Sequence, residues 1–306
     1  MGVVSPARTL VDGLRAADLI DCNERIPSMT IKPLRALAGF ACAALLATPG
    51  WAQTAKPSEF QPQVGQSGKD VIWVPTPDAL VDRMLRMANV TPKDFVMDLG
   101  SGDGRIAIAA SKTFNARAMG IEYNPDMVVL SNQSAAREGV AEMVKFVKAD
   151  IFETDFSQAS VITMYLLPSL NVKLRPKLLD MKAGTRIVSH AFDMGEWVAD
   201  ETANVEGRSA YLWIVPAKVA GTWSFEVGGN KSNLQISQTF QKVEGNVQRG
   251  DRLSPLNGSV RGDEIRFSAP EGQGGRREYV GRITGERMEG QSGSDRWSAT
   301  RTAKSG

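Results

Sequence analysis

Histidine is almost missing from this chain: His190 is the single one in 306 residues. A histidine-rich metal centre is thereby excluded. Cysteine is scarcely better represented, with two residues, Cys22 and Cys42. Both precede Ala52-Gln53, where a cut is expected, so the processed chain would hold no disulfide and no thiolate metal site. Charge of one sign is not in excess: 36 Lys and Arg stand against 34 Asp and Glu, a net of +2. With no long basic run, nucleic acid is not an expected partner. Long apolar runs are lacking too. The stretch Ala36–Thr48 falls short of the ~20 residues that cross a bilayer, so no stable membrane span is expected.

That short apolar stretch has the flanks of an export signal. Lys32 and Arg35 precede it, and Pro49-Gly-Trp-Ala52 follows, with small Gly50 and Ala52 at the −3 and −1 places of a cut before Gln53. Residues 1–52 therefore read as a signal peptide, and the processed protein is expected outside the cytoplasm, in the periplasm. An N-terminal membrane anchor is the alternative. Met29 opens a signal of ordinary length, which leaves residues 1–28 as an upstream extension or a long basic region. Phe40 stands where a lipoprotein signal needs a small residue ahead of Cys42.

Residues 53–69 are rich in Pro, Gln, Ser and Gly and read as a linker. Pro77 fits the first turn of a helix with Thr76 as its N-cap, and Leu80, Val81, Met84, Leu85 and Ala88 recur at helical spacing. From Asp94 onward, strand-like runs (94–98, 117–122, 143–149, 159–166, 185–192 and 208–215) alternate with helical ones near 104–114, 125–138 and 168–181. Such alternation predicts an α/β fold over 70–217, a mostly parallel sheet with helices on both faces. After Pro216 the texture changes to short alternating runs between Gly-rich turns. Residues 218–306 read as a separate antiparallel β domain, a small barrel or sandwich loosely similar to a lipocalin-like module.

The chemistry gathers at the C-terminal ends of three successive strands. Phe95-Val-Met-Asp-Leu99 runs into Gly100, Gly102 and Gly104 and then into a helix. Glycines there let the backbone turn tightly and approach a ligand, and the helix start behind them carries free N–H groups. The spacing G-x-G-x-G differs from the G-x-G-x-x-G of dinucleotide sites. Glu122 closes the second strand, placed to take ribose hydroxyls, and Asp150 closes the third. A glycine-rich turn with solvated acids is the bland alternative. Tyr165 ends the fourth strand and His190 the fifth, so both point towards a ligand beyond the sheet. His190 reads equally well as a buried, hydrogen-bonded core residue, and Tyr165 better as a pocket wall than as a base.

The order Asp98-x-Gly-x-Gly-x-Gly resembles motif I of the class I methyltransferases that use S-adenosylmethionine (SAM). Further phrases are Val74-Pro-Thr-Pro77, Tyr165-Leu-Leu-Pro168, Leu174-Arg-Pro-Lys-Leu178 and Gly184–Phe192 with Trp197. With these, residues 70–216 are similar to the small lysine methyltransferases of ATP synthase c-subunit and adenine nucleotide translocase, and to their bacterial relatives. The resemblance implies a Rossmann-like seven-stranded sheet and SAM as cofactor. It implies a cofactor site of Asp98, Gly100, Ser101, Gly102, Gly104, Glu122, Tyr123, Asp150 and Ile151, with Asp150 beside the adenine. Trp73 and Pro75 are expected to cover it. The β domain and the signal lie outside the resemblance.

Met164-Tyr-Leu-Leu-Pro168 stands where methyltransferases of amide and base nitrogens carry Asn/Asp-Pro-Pro-Tyr, which leaves lysine amines, hydroxyls and small molecules as acceptors. Methyl transfer from a sulfonium needs an oriented, desolvated and uncharged nucleophile, for which Tyr165 and His190 are the candidate catalytic residues. The expected function is methyl transfer from SAM to an acceptor, a protein lysine or a small molecule. The alternative is an exported protein that binds SAM or another ligand without turnover.

Overall fold

The computed structural model of the chain describes residues 60–271 and 275–304. The segment expected to be a signal, the expected cut, Met29 and both cysteines lie outside the described residues.

The alternating pattern folds into α1 (Asp78–Met87), β1 (Phe95–Leu99), α2 (Arg105–Phe114), β2 (Arg117–Glu122), α3 (Pro125–Arg137), β3 (Val144–Lys148), β4 (Val161–Met164), α4 (Pro168–Leu179), β5 (Arg186–His190), β6 (Glu201–Val205) and β7 (Arg208–Ile214). The strands form one sheet in the order β3-β2-β1-β4-β5-β7-β6. β7 runs antiparallel to β5 and β6, and the remaining pairs are parallel. This is the seven-stranded Rossmann-like sheet that the sequence led us to expect. β6 gives little sequence signal, because an edge strand reading Glu-Thr-Ala-Asn-Val has no apolar alternation to show.

The strands of the centre are apolar on both sides because both faces are covered. On one face α1 and α2, with Ala135 of α3, bury Leu80, Val81, Met84, Leu85, Ile106 and Ala110 against Val96, Val161 and Val188. On the other, α4 alone supplies Leu174 and Leu178, and the loop aromatics Phe156 and Trp197 fill in around it. One expectation fails at the start of α1. Pro77 itself is the N-cap, without a side-chain cap, and the Thr76 hydroxyl turns instead to His190.

The C-terminal part of the chain is a closed barrel of eight antiparallel strands. They are β8 (Gly221–Val227), β9 (Asn230–Thr239), β10 (Lys242–Arg249), β11 (Arg252–Arg261), β12 (Glu264–Glu271), β13 (Gly275–Thr284), β14 (Arg287–Ser292) and β15 (Asp295–Lys304). Pairing of β15 with β8 closes the ring and leaves no strand edge. An eight-stranded barrel has an interior that side chains just fill. Here Trp223, Phe225, Phe267, Tyr279 and Trp297 fill it, with Phe267 and Tyr279 stacked at 4.7 Å.

The barrel meets the sheet at the β11–β12 hairpin, where Arg261 Nε lies 3.9 Å from Asp200 Oδ1, and at the β9–β10 hairpin. Phe240, between β9 and β10, stacks on Trp197 with centroids 6.1 Å apart and receives the Arg175 guanidinium at 5.2 Å. Gln241 donates to the Val198 carbonyl at 2.7 Å. Phe240 thus packs into the core on the face that only one helix covers.

Candidate active site

A cavity of about 550 Å³ opens at the C-terminal ends of β1 to β5. Its floor is the glycine loop between β1 and α2. Gly102 has φ +54° and Gly104 φ +82°, values that side chains of L residues rarely adopt. Space demands glycine as well: a Cβ on Gly102 would lie 2.6 Å from the Trp73 indole nitrogen.

Trp73 belongs to a strap that roofs the cavity. Gly65 N–H donates to the Trp73 carbonyl and Trp73 N–H to the Gln66 carbonyl, each at 2.9 Å, so residues 65–73 form a small hairpin. Arg105 fastens its end. The guanidinium is held by Asp103 at 2.6 Å and donates to the Thr76 carbonyl at 2.9 Å. Residues 66–69, which read as linker, are therefore cavity wall. Trp73 and Pro75 cover the cavity as anticipated, and Arg105 ties structure together. Lys69 was not foreseen, since nothing in its neighbourhood marks it. Its ammonium pairs with Asp150 and sits 5.0 Å from the Tyr123 ring centroid.

The three acids differ in environment. Glu122 is tied on both oxygens, accepting from Gly102 N–H at 2.8 Å and Asn124 N–H at 2.9 Å. Asp150 accepts from Phe152 N–H at 2.8 Å; the bond from Lys69, then that N–H, hold its carboxyl below the usual range. Asp98 is buried, and the Thr163 hydroxyl donates to it at 2.7 Å. Burial pushes its carboxyl up to about 7 against the pull of Thr163, and the neighbouring Asp103 and Glu122 add to the rise. Ser101 adds a buried hydroxyl with no hydrogen-bond partner among the described residues. Of the cofactor residues read from the sequence, Asp98, Gly100, Ser101, Gly102, Glu122, Tyr123, Asp150 and Ile151 all border the cavity. Gly104 stands just behind, where a Cβ would meet Phe146 at 2.6 Å.

The far end of the cavity is apolar and aromatic: Tyr165, Leu166, Leu167, Leu170 and Phe192. Tyr165 is on its wall. His190, the other candidate catalytic residue, is not. It is 3% exposed, packed behind Tyr165 with ring centroids 3.8 Å apart and the planes tilted by 33°, and its Nδ1 lies 3.0 Å from Thr76 Oγ1. Burial, then the positive charge of Arg208, pushes its imidazole down to about 4. A ring shut away from the cavity in this way fits the core reading of His190. Asp193, whose carboxylate accepts from Gly195 N–H at 3.1 Å, forms a turn.

The arrangement fits an adenosyl ligand on this chain's own features. Glu122 keeps spare lone pairs beside the glycine floor, Ser101 offers an unpaired hydroxyl, and a close-packed glycine cradle excludes any Cβ. Trp73 and Tyr123 supply aromatic faces. Among the described residues no group of three metal-ligating side chains occurs, and no helix is long and apolar enough to cross a membrane.

The ANTKMT methyltransferase domain matches residues 98–201. A protein-lysine N-methyltransferase of Saccharolobus islandicus is 42% identical over 151 residues, 47% of this chain and 94% of that protein. The adenine nucleotide translocase lysine N-methyltransferase of Mus musculus is 32% identical; the match takes in 53% of this chain and 66% of the mouse protein. Among solved structures, an RNA methyltransferase from Salinibacter ruber in complex with S-adenosyl-L-homocysteine is 50% identical, with a TM-score of 0.47, over 48% of this chain and 96% of that one.

Proposed function

For this chain, which belongs to the family of SAM-dependent methyltransferases with the ANTKMT-type domain, we propose one acceptor, the side-chain amine of a protein lysine. Methyl transfer from SAM follows from the family. The lysine is our reading, and the observation that carries it is the near-complete coverage of the Saccharolobus islandicus protein-lysine N-methyltransferase at 42% identity. The cavity supports it. Its far end presents Tyr165, Leu167, Leu170 and Phe192, a lining that suits a slender aliphatic chain and desolvates an amine. The Asn/Asp-Pro-Pro-Tyr loop that grips amides and bases is replaced by Met164-Tyr-Leu-Leu-Pro168.

SAM supplies an electrophilic methyl on a sulfonium. This chain's residues hold and orient. We assign the ribose to Glu122, the adenine side to Asp150, Tyr123 and Ile151, and the floor to Gly100, Ser101 and Gly102. Tyr165 and Phe192 shut water from the acceptor end. An amine must lose its proton before it attacks, and the exclusion of water at this aromatic wall favours the neutral form.

The test is to incubate the protein with methyl-labelled SAM and an extract of cells lacking the gene, then digest the labelled fraction and analyse it by mass spectrometry. Methyl-lysine in a protein is expected. Label that is lost on ribonuclease treatment and recovered as a methylated nucleotide would overturn the lysine assignment.

A further inference from the structure

We propose that His190 is a positioning residue that joins two walls of the cavity, gripping Thr76 of the strap through its ring nitrogen and Tyr165 through its ring face.

Thr76 and Tyr165 both border the cavity, one at the end of the strap and the other just past β4. Among the described residues no hydrogen bond or ring contact joins them directly. Each instead contacts His190, which does not border the cavity: the Thr76 hydroxyl at 3.0 Å from Nδ1, the Tyr165 ring at 3.8 Å between centroids. A ring packed so closely limits where Tyr165 can swing. Its other ring neighbour is Phe192, at 6.0 Å and 26°.

The backbone around His190 carries strain to maintain this. Ala191 has φ +64°, and Phe192 N–H donates to the His190 carbonyl at 2.8 Å. A three-residue turn of this hand is rare and costs free energy. It reverses the chain immediately after His190 and brings Phe192 back to the cavity beside Tyr165. Asn171 of α4 secures the turn by donating to the carbonyls of Phe192 and Asp193 at 3.2 and 3.0 Å. The low imidazole pKa is consistent with the role: an uncharged ring can exchange one hydrogen bond with a hydroxyl and lie against an aromatic face without burying a charge. Movement of the strap is then felt at Tyr165, and the reverse.

The proposal rests on the cavity being the SAM site, so the probe is S-adenosylhomocysteine, followed by calorimetry on the full chain. Affinity is measured for the parent, Thr76→Val, Tyr165→Leu and the double variant, and again for all four in a His190→Asn background. If His190 links the two walls, Thr76→Val and Tyr165→Leu each weaken binding, and the double variant weakens it less than their product by at least about twofold, the lower end of the coupling seen between neighbours. In the His190→Asn background, where the ring face is gone, the two effects multiply. Thr76→Ser, which keeps the hydroxyl, restores parental affinity. A core histidine with no such role would leave the effects multiplicative in both backgrounds, and that result overturns the proposal. Should His190→Asn not fold, hydrogen exchange at the amides of Tyr165–Leu167 decides. Faster exchange in Thr76→Val than in Thr76→Ser supports the link; equal exchange overturns it. A parent that folds but does not bind S-adenosylhomocysteine overturns the reading of the cavity itself, and with it this proposal.

Discussion

At the scale of single residues, burial divides acids of the same composition into different roles. Asp98 is enclosed and raised to about 7. Its folded value lies above the unfolded 3.8, so the stability it contributes is full below about pH 4 and is lost as the pH rises through about 7. Asp98→Asn should therefore flatten the pH dependence of unfolding between about pH 4 and pH 8, by up to ~4 kcal/mol. Urea titrations at the two ends of that range measure it, and an unchanged pH profile would show that Asp98 is not held protonated. Glu122 is instead fixed by two N–H groups with lone pairs to spare. Glu122→Ala should weaken S-adenosylhomocysteine binding about ten- to a hundredfold by calorimetry, the worth of a charged hydrogen bond. Unaltered affinity would place the ribose elsewhere. Asp98, Glu122 and Asp150 were legible because each lies at or just past the C-terminal end of a strand in a βαβ series. For His190 the same logic left two readings open. Strand-end position says which edge a residue reaches but not which neighbour stands in front of it, and Tyr165 stands there.

At the scale of elements, the strap and the β9–β10 hairpin carry what their own sequences do not announce. The strap hydrogen bonds to itself, but its place comes from Arg105 and from the fit of Trp73 over Gly102. Gly102→Ala should push Trp73 off and strain the φ +54° turn. The expected result is loss of S-adenosylhomocysteine binding with the fold retained, read by calorimetry beside circular dichroism. In the hairpin, Phe240 sits at φ +54°, where glycine or asparagine would be at ease. The strain is sensible only because the ring is used against Trp197 and Arg175. Phe240→Gly should relieve the turn yet release the barrel from the sheet. One cooperative thermal transition should then split into two in calorimetry. A single transition at the parental temperature would mean that Phe240 does not hold the halves together.

At the scale of the whole molecule, every described residue bordering the cavity falls within Gln66 to Phe192, and among the described residues none comes from the barrel. A fragment spanning 60–217 should thus keep S-adenosylhomocysteine affinity within about threefold, a change under ~1 kcal/mol. It should melt lower, because removal of Phe240 exposes Trp197 on the thinly covered face. A folded fragment that fails to bind would show that the barrel completes the site. Export belongs to this scale as well, and we propose it from the order of basic, apolar and small residues before Gln53. N-terminal sequencing of protein recovered from the periplasm should read from Gln53. Intact Met1 or Met29 on cytoplasmic protein would refute it.

By itself the sequence determined the succession of strands and helices apart from β6, the glycine floor and its acids, and the change of architecture after Pro216. These are local matters: apolar period, a turn that only glycine tolerates, and an acid at the end of a strand. The tertiary structure decided the rest. It set a hydroxyl that looked like a helix cap against His190, and it brought Lys69 from an unremarkable polar stretch onto Asp150. It placed Tyr165 before His190 and closed eight short strands into a barrel filled with its own aromatics. It planted Phe240 in the sheet's core. Each of these depends on contacts between residues distant along the chain, and periodicity and spacing hold no information about which distant side chains meet.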